Sequence, residues 1–270
     1  RTRSRQLRLE MLAAKLPLAG NITATLAGGV LTLTGDAQPN GWQITGGAAG
    51  VVQVLGVGTT VNGLRQPANF TGVTDINLND NGGGDSFIAN NLTITGTLNA
   101  QFDFAGIGND VVTLSNVNVG GDLVIVTDNN TGSADVISLF AITVGDDLQV
   151  IANSTTATAL LPDVITARQV TINNNNVAGN SFLNTGNGPD VVSLANLAVN
   201  GNGNLTVDMS PFAGNSNATD ALTLASATIA GQLTIFLDSN FGGGADAAVL
   251  ASVTAGRLNL NAGGGSDVVS

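Results

Sequence analysis

An aspartate-headed repeat limits what this chain can fold into. Its starts are Asp85, Asp110, Asp135, Asp190, Asp220, Asp246 and Asp267, with Ala157 in the slot between Asp135 and Asp190. Most starts follow a Gly-rich or Asn-rich corner and lead into alternating aliphatics, as in GIGNDVVTL and GNGPDVVSL. Apolar residues recur two, four, seven and nine positions after the start: Val112, Leu114, Val117 and Val119 in one copy, Val192, Leu194, Leu197 and Val199 in another. A further one recurs thirteen positions on, at Leu98, Leu123, Leu148 and Leu233. The steps are 25, 25, 22, 33, 30, 26 and 21 residues, with a mean of 26. Period-two alternation of Val, Ile, Leu and Thr signals short strands, and a fixed period of this size signals a solenoid.

The expected fold is therefore all-β: a parallel β-helix with about 26 residues per coil, preceded by an N-terminal β capping module. Stacked coils repeat every ~4.8 Å, so equivalent positions lie above one another and share a narrow aliphatic core. Antiparallel sandwiches also use strands at ~8–12 residue spacing, but the common register of the copies favours the solenoid. The divisions are 1–20, a basic leader; 21–80, the cap; and 81–270, the coils, the last opening at Asp267. The first residue is Arg1 and the last coil is barely begun, which suggests a piece of a longer polypeptide with further domains after Ser270. Within 21–80, Val30, Leu31, Leu33, Trp42, Ile44, Val52, Val54 and Leu55 sit in short alternating runs separated by Gly-rich turns. These read as hairpins that would cover the open edge of the stack.

Composition narrows the chemistry. Hydrophobic residues make up 43% and charged residues 10%, enough for a core. No run reaches the ~18 apolar residues of a membrane-spanning helix. There is no His and no Cys, which excludes imidazole bases, thiol nucleophiles and their metal sites. From Asn21 onward three Arg face 18 Asp, a formal −15, whereas the leader is +4. Such a body repels a phosphate backbone, so nucleic acid is not an expected partner.

The leader segment QLRLEMLAAKLPLAG resembles the short N-terminal LEPR-XLL motif of planctomycete-type surface proteins. Leu7, Leu9, Glu10, Leu12, Leu18 and Ala19 match, while Ala13, Ala14 and Lys15 depart from it. The stretch from Ala24 to Phe87 is similar to an entry module of the same secreted proteins, which runs into Gly/Asp-rich coils. The resemblance implies export, an extracellular or cell-surface place in bacteria, and partners among cell-envelope components or surface glycans and proteins. It implies no chemical activity.

Calcium is the one cofactor the sequence suggests. Gly106-Ile107-Gly108-Asn109-Asp110 resembles one glycine–aspartate nonapeptide of the secreted calcium-binding rolls. The candidate ligands are Asp80, Asp85, Asp110 and Asp135, which stacking would align as a ladder. The opposing reading gives each Asp a backbone N–H to accept at its corner. Asn91, Asn116 and Asn196, each six after a start, suggest an internal ladder of side-chain amides. The expected function is a non-catalytic structural or adhesive module. The alternative is a carbohydrate-active β-helix, with a carboxylate pair drawn from Asp122, Asp146 and Asp147. Sugar sites favour exposed aromatics, however, and Phe102 and Phe104 alternate toward the core.

Overall fold

The structure is a computed structural model and describes residues 20–102, 108–127, 133–152, 161–174, 179–186, 188–209, 219–237 and 244–270. The leader motif, Phe104 and Ala157 lie outside the described residues. The chain is a β-solenoid. Each coil has a long strand and, after a turn, a short one: β8 (Ser86–Ile94) and β9 (Leu98–Gln101), β10 (Val111–Val119) and β11 (Leu123–Val126), β12 (Val136–Val144) and β13 (Leu148–Ile151). Next come β14 (Val164–Ile172) and β15 (Asn180–Asn184), then β16 (Val191–Val199) and β17 (Asn204–Asp208). In β18 (Ala221–Phe236) and β19 (Ala247–Asn261) both stretches merge into one strand. Long strands pair in parallel with long, and short with short, through the stack.

Why the inward residues jump from the fourth to the seventh position is visible in the backbone. Alternation alone would carry the fourth, sixth and eighth residues inward. The residue six after each start instead adopts left-handed φ: Asn91 52°, Asn116 56°, Ala141 54°, Gln169 56°, Asn196 53°, Ser226 54° and Ser252 55°. That one residue bends the strand and resets which side faces in. Asn tolerates this conformation best among non-glycine residues, which explains its recurrence. The Asn ladder is thus real but external: Asn91, Asn116 and Asn196 are exposed, and Asn116 Nδ2 donates to Asn91 Oδ1 at 2.7 Å. An amide in place of Ala141 would relieve an unfavourable φ directly above this bond. Ala141→Asn is expected to stabilise by about 1 kcal/mol, read as a rise in melting temperature.

One repeat start needs correcting. The slot between Asp135 and Asp190 belongs to Asp163, because Val136 pairs with Val164 and Val164 with Val191. Its steps are 28 and 27 residues instead of 22 and 33. Ile165, Ala167, Val170 and Ile172 are the buried residues, and Val164 and Thr166, which the Ala157 register turned inward, lie outside the core. The region misleads because Ala159, Leu161 and Val164 imitate a strand where the chain is lengthening. The matching stretches Pro162-Asp163-Val164-Ile165 and Pro189-Asp190-Val191-Val192 were the available signal.

Antiparallel pairs end the stack at the N-terminal side. β1 (Asn21–Ala27) pairs antiparallel with β2 (Val30–Thr34), which pairs in parallel with β7 (Asp75–Asn79), itself parallel to β9. β3 (Gly41–Thr45) lies parallel to β8 on one side and antiparallel to β4 (Val51–Gly56) on the other. β4 in turn pairs antiparallel with β6 (Ala68–Thr71). Trp42, Ile44, Val52 and Val54 are fully buried beneath this hairpin, so it closes the core. At the far end β19 borders an open hollow of about 420 Å³ lined by Leu250, Ser252, Val253, Ala255 and Leu258.

Candidate functional site: a buried aspartate ladder

The repeat aspartates are interior groups. Asp85, Asp110, Asp135, Asp163, Asp190, Asp220 and Asp246 are all buried, as is Asp80. Each coil's corner turns its aspartate inward immediately before the long strand begins. The carboxylate then points one coil back. Asp85 N–H donates to Asp110 Oδ1, Asp110 N–H to Asp135, Asp135 N–H to Asp163, and Asp163 N–H to Asp190, each at 2.8 Å. Asp190 N–H to Asp220 and Asp220 N–H to Asp246 continue at 2.9 Å, and Asp246 N–H reaches Asp267 at 3.2 Å. In the cap Asn40 N–H donates to Asp85 at 2.6 Å and extends the series.

The same residues are joined through their carbonyls. Val111 N–H donates to Asp85 O, Val136 N–H to Asp110 O, Val164 N–H to Asp135 O and Val191 N–H to Asp163 O, each at 2.9 Å. Each rung therefore ties two coils twice, once by backbone and once by side chain. A charge-assisted bond of this kind is stronger than a neutral one, and it satisfies an N–H that the corner would otherwise bury. The backbone bonds are made from coil to coil, which corrects the expectation of a local turn at each aspartate's own corner.

Asp80 reaches the ladder from the neighbouring column. Its N–H donates to Gln101 O, as Phe102 N–H does to Val126 O and Thr127 N–H to Ile151 O one coil on, so it follows a short strand and heads none. Asn81 N–H at 2.7 Å and Asn40 Nδ2 at 3.3 Å donate to Asp80 Oδ1, and Trp42 Nε1 donates to Oδ2 at 3.2 Å. Its carboxyl also lies within hydrogen-bonding reach of that of Asp85. Burial pushes the Asp80 pKa up to about 6, against the lowering effect of these donors. Asp190 is likewise raised to about 6 by burial, and the Asp163 N–H and the Thr185 hydroxyl act in the opposite direction.

The four candidate calcium ligands are therefore neighbours, but in a row. Asp85, Asp110 and Asp135 are successive rungs, each with one oxygen accepting an N–H, and Asp80 adds a carboxyl to the first. Calcium takes six to eight oxygens around a point. Among the described residues no three acidic side chains gather into such a shell.

The carboxylates considered for sugar chemistry lie on the turn between long and short strands. Asp147 N–H donates to Asp122 Oδ1 at 3.0 Å and Leu123 N–H to Asp147 O at 2.9 Å, a second, shorter ladder. Burial, then the charges of Asp122 and Asp146, raise the Asp147 pKa, and the Asn180 N–H lowers it. Arg168 and Arg257 are exposed. Phe102 is buried against Phe87, with ring centroids 6.1 Å apart.

Burying the ladder also changes how the net charge is read. Eight of the 18 body aspartates, Asp80 and the seven from Asp85 to Asp246, contribute little to the outer surface, so the formal −15 overstates its acidity. Among the described residues no helix is long and apolar enough to cross a membrane. No family model matches the chain, and no curated protein or solved structure matches it.

Proposed function

We propose that this chain is a non-catalytic structural and adhesive rod, displayed outside the cell or on its surface. The observation that carries the reading is how its acids are used. The buried repeat carboxylates are committed, coil after coil, to N–H groups of the adjacent coil, so they serve to hold the stack together. Such a stack is stiff because each coil is held to the next by both strands and by a rung. The extracellular placement rests on the resemblance of the leader and entry module. Surface glycans and envelope proteins are the partners that this placement suggests. A carbohydrate-active β-helix remains the alternative; hydrolysis or cleavage of a polysaccharide panel by the purified chain would replace the rod reading.

Calcium stiffening is the second reading, favoured by the adjoining carboxyls of Asp80 and Asp85 at the head of the column. Titration followed by thermal melting and calorimetry separates the two. The passive rod gives no heat and an unchanged melt in calcium or in chelator. Stoichiometric uptake with a large rise in melting temperature, abolished by Asp85→Asn and Asp110→Asn, would make the ladder a calcium lock.

A further inference from the structure

The outer side of the first half of each long strand presents a flat surface that the rod reading leaves unused. The residues one, three and five after each rung point outward there, and the strands keep one register from β8 to β19. Val111, Val136, Val164 and Val191 stack as one column, 43%, 39% and 42% exposed at Val111, Val136 and Val191. Thr and Ser form the next column from Thr113 to Ser193. In the third column Phe140 is 50% exposed and pairs directly with Arg168 of the following coil. Arg168 is the one charged residue at these positions from Ser86 to Ala251, all of them described residues.

We infer that this face pairs with the same face of a second copy of the chain, forming an antiparallel, two-fold dimer of rods. Three arguments select that occupant. The face is a pleated sheet in one register, so it suits another sheet, packed about 10 Å away. It is almost free of charge, as the centre of a homodimer interface is, so two acidic chains meet without facing like charges. Its size also suffices. Six or seven coils at ~4.8 Å by five residues at ~3.3 Å give roughly 500 Å² per copy, or about 1,000 Å² in all, the lower bound for specific association.

The sequence of the third column fixes the register. With the two-fold axis in the interface, parallel to the strands and between β12 and β14, Phe140 of each copy lies over Arg168 of the other. The two cation–π contacts so formed pair the exposed ring of this face with its one charge. They also place the two Arg168 guanidinium groups on different coils, away from one another.

Sedimentation equilibrium of the whole chain tests this. The expected result is a reversible dimer with a dissociation constant in the micromolar range. Val136→Lys with Val191→Lys is expected to weaken it roughly tenfold or more by burying unpaired charge. Phe140→Ala is expected to weaken it several-fold. Thr143→Lys, on the exterior beyond the left-handed corner, is expected to leave both dimer and melt unchanged. A monomer at every concentration would overturn the inference, and so would equal weakening by Thr143→Lys. Valine-dependent capture of a monomeric chain on an insoluble glycan would also overturn it by giving the face a different occupant. None of these outcomes depends on whether the rod is passive or calcium-locked.

Discussion

Raising the pH from about 4 to about 7 is expected to destabilise the stack, and the effect is large. Asp80 and Asp190 each bind their proton more tightly folded than unfolded, with pKa values near 6 against 3.8. Their stabilisation is complete below 3.8 and is lost as pH rises through about 6. Two units each correspond to about 3 kcal/mol per group, and a change of that size moves a melting temperature by on the order of ten degrees in a chain this long. The physical source is burial, which penalises the charged form of both carboxyls. Asp190→Asn keeps an acceptor for the Asp163 N–H while removing the charge. It is expected to match the parent chain near pH 4, to exceed it in melting temperature near pH 8, and to flatten the profile by about half. A melting temperature that climbs steadily from pH 4 to pH 8 would contradict the interior placement of these acids.

Trp42→Ala is the second expected large effect, and it is local. Trp42 is fully buried in β3 where cap meets coil, and its Nε1 holds Asp80. Removing the ring costs about 3–5 kcal/mol for the cavity, and the lost donor adds about 1–3 kcal/mol. Coils contact only their neighbours, so the cap is expected to separate as an early thermal transition while the later coils melt near their parental temperature. Trp42→Phe keeps most of the volume and loses only the donor. It is expected to destabilise less and to push the Asp80 titration further up, since one lowering contact is gone. Circular dichroism melts with limited proteolysis of residues 20–80 read both variants. A single, uniformly shifted transition for Trp42→Ala would show the stack to be more cooperative than its nearest-neighbour contacts imply.

The repeat itself was legible from the sequence, for a physical reason. Parallel stacking demands the same residue type at the same place in every coil, so Leu114, Leu139 and Leu194 announce their shared column without any structure. Loop growth was legible as variable step length, except where a lengthened corner carried its own alternation and hid Asp163. The Ala157 and Asp163 registers differ by an even number of residues, so period two alone does not separate them; Val164 and Thr166 change sides because the left-handed bend falls at Gln169 and not at Asp163.

What the sequence determined by itself is the coil: its length, its inward columns, and an acid heading every copy except the one that Asp163 opens. Those properties are local and repeat, so a linear pattern can encode them. Only the tertiary structure decided where the acids and amides go. Asp85 and Asp110 head their coils identically in the text, yet each carboxylate serves the preceding coil, a direction along the stack that no single copy contains. Asn116 reads as an interior rung until its φ of 56° places it on the outer bend. Asp80 lies five residues before Asp85 in the sequence, but their carboxyls meet only because the corner between β7 and β8 turns both into the interior. Stacking direction, corner handedness and column adjacency arise between coils, and a sequence records them only through residues whose reasons appear once the coils are in contact.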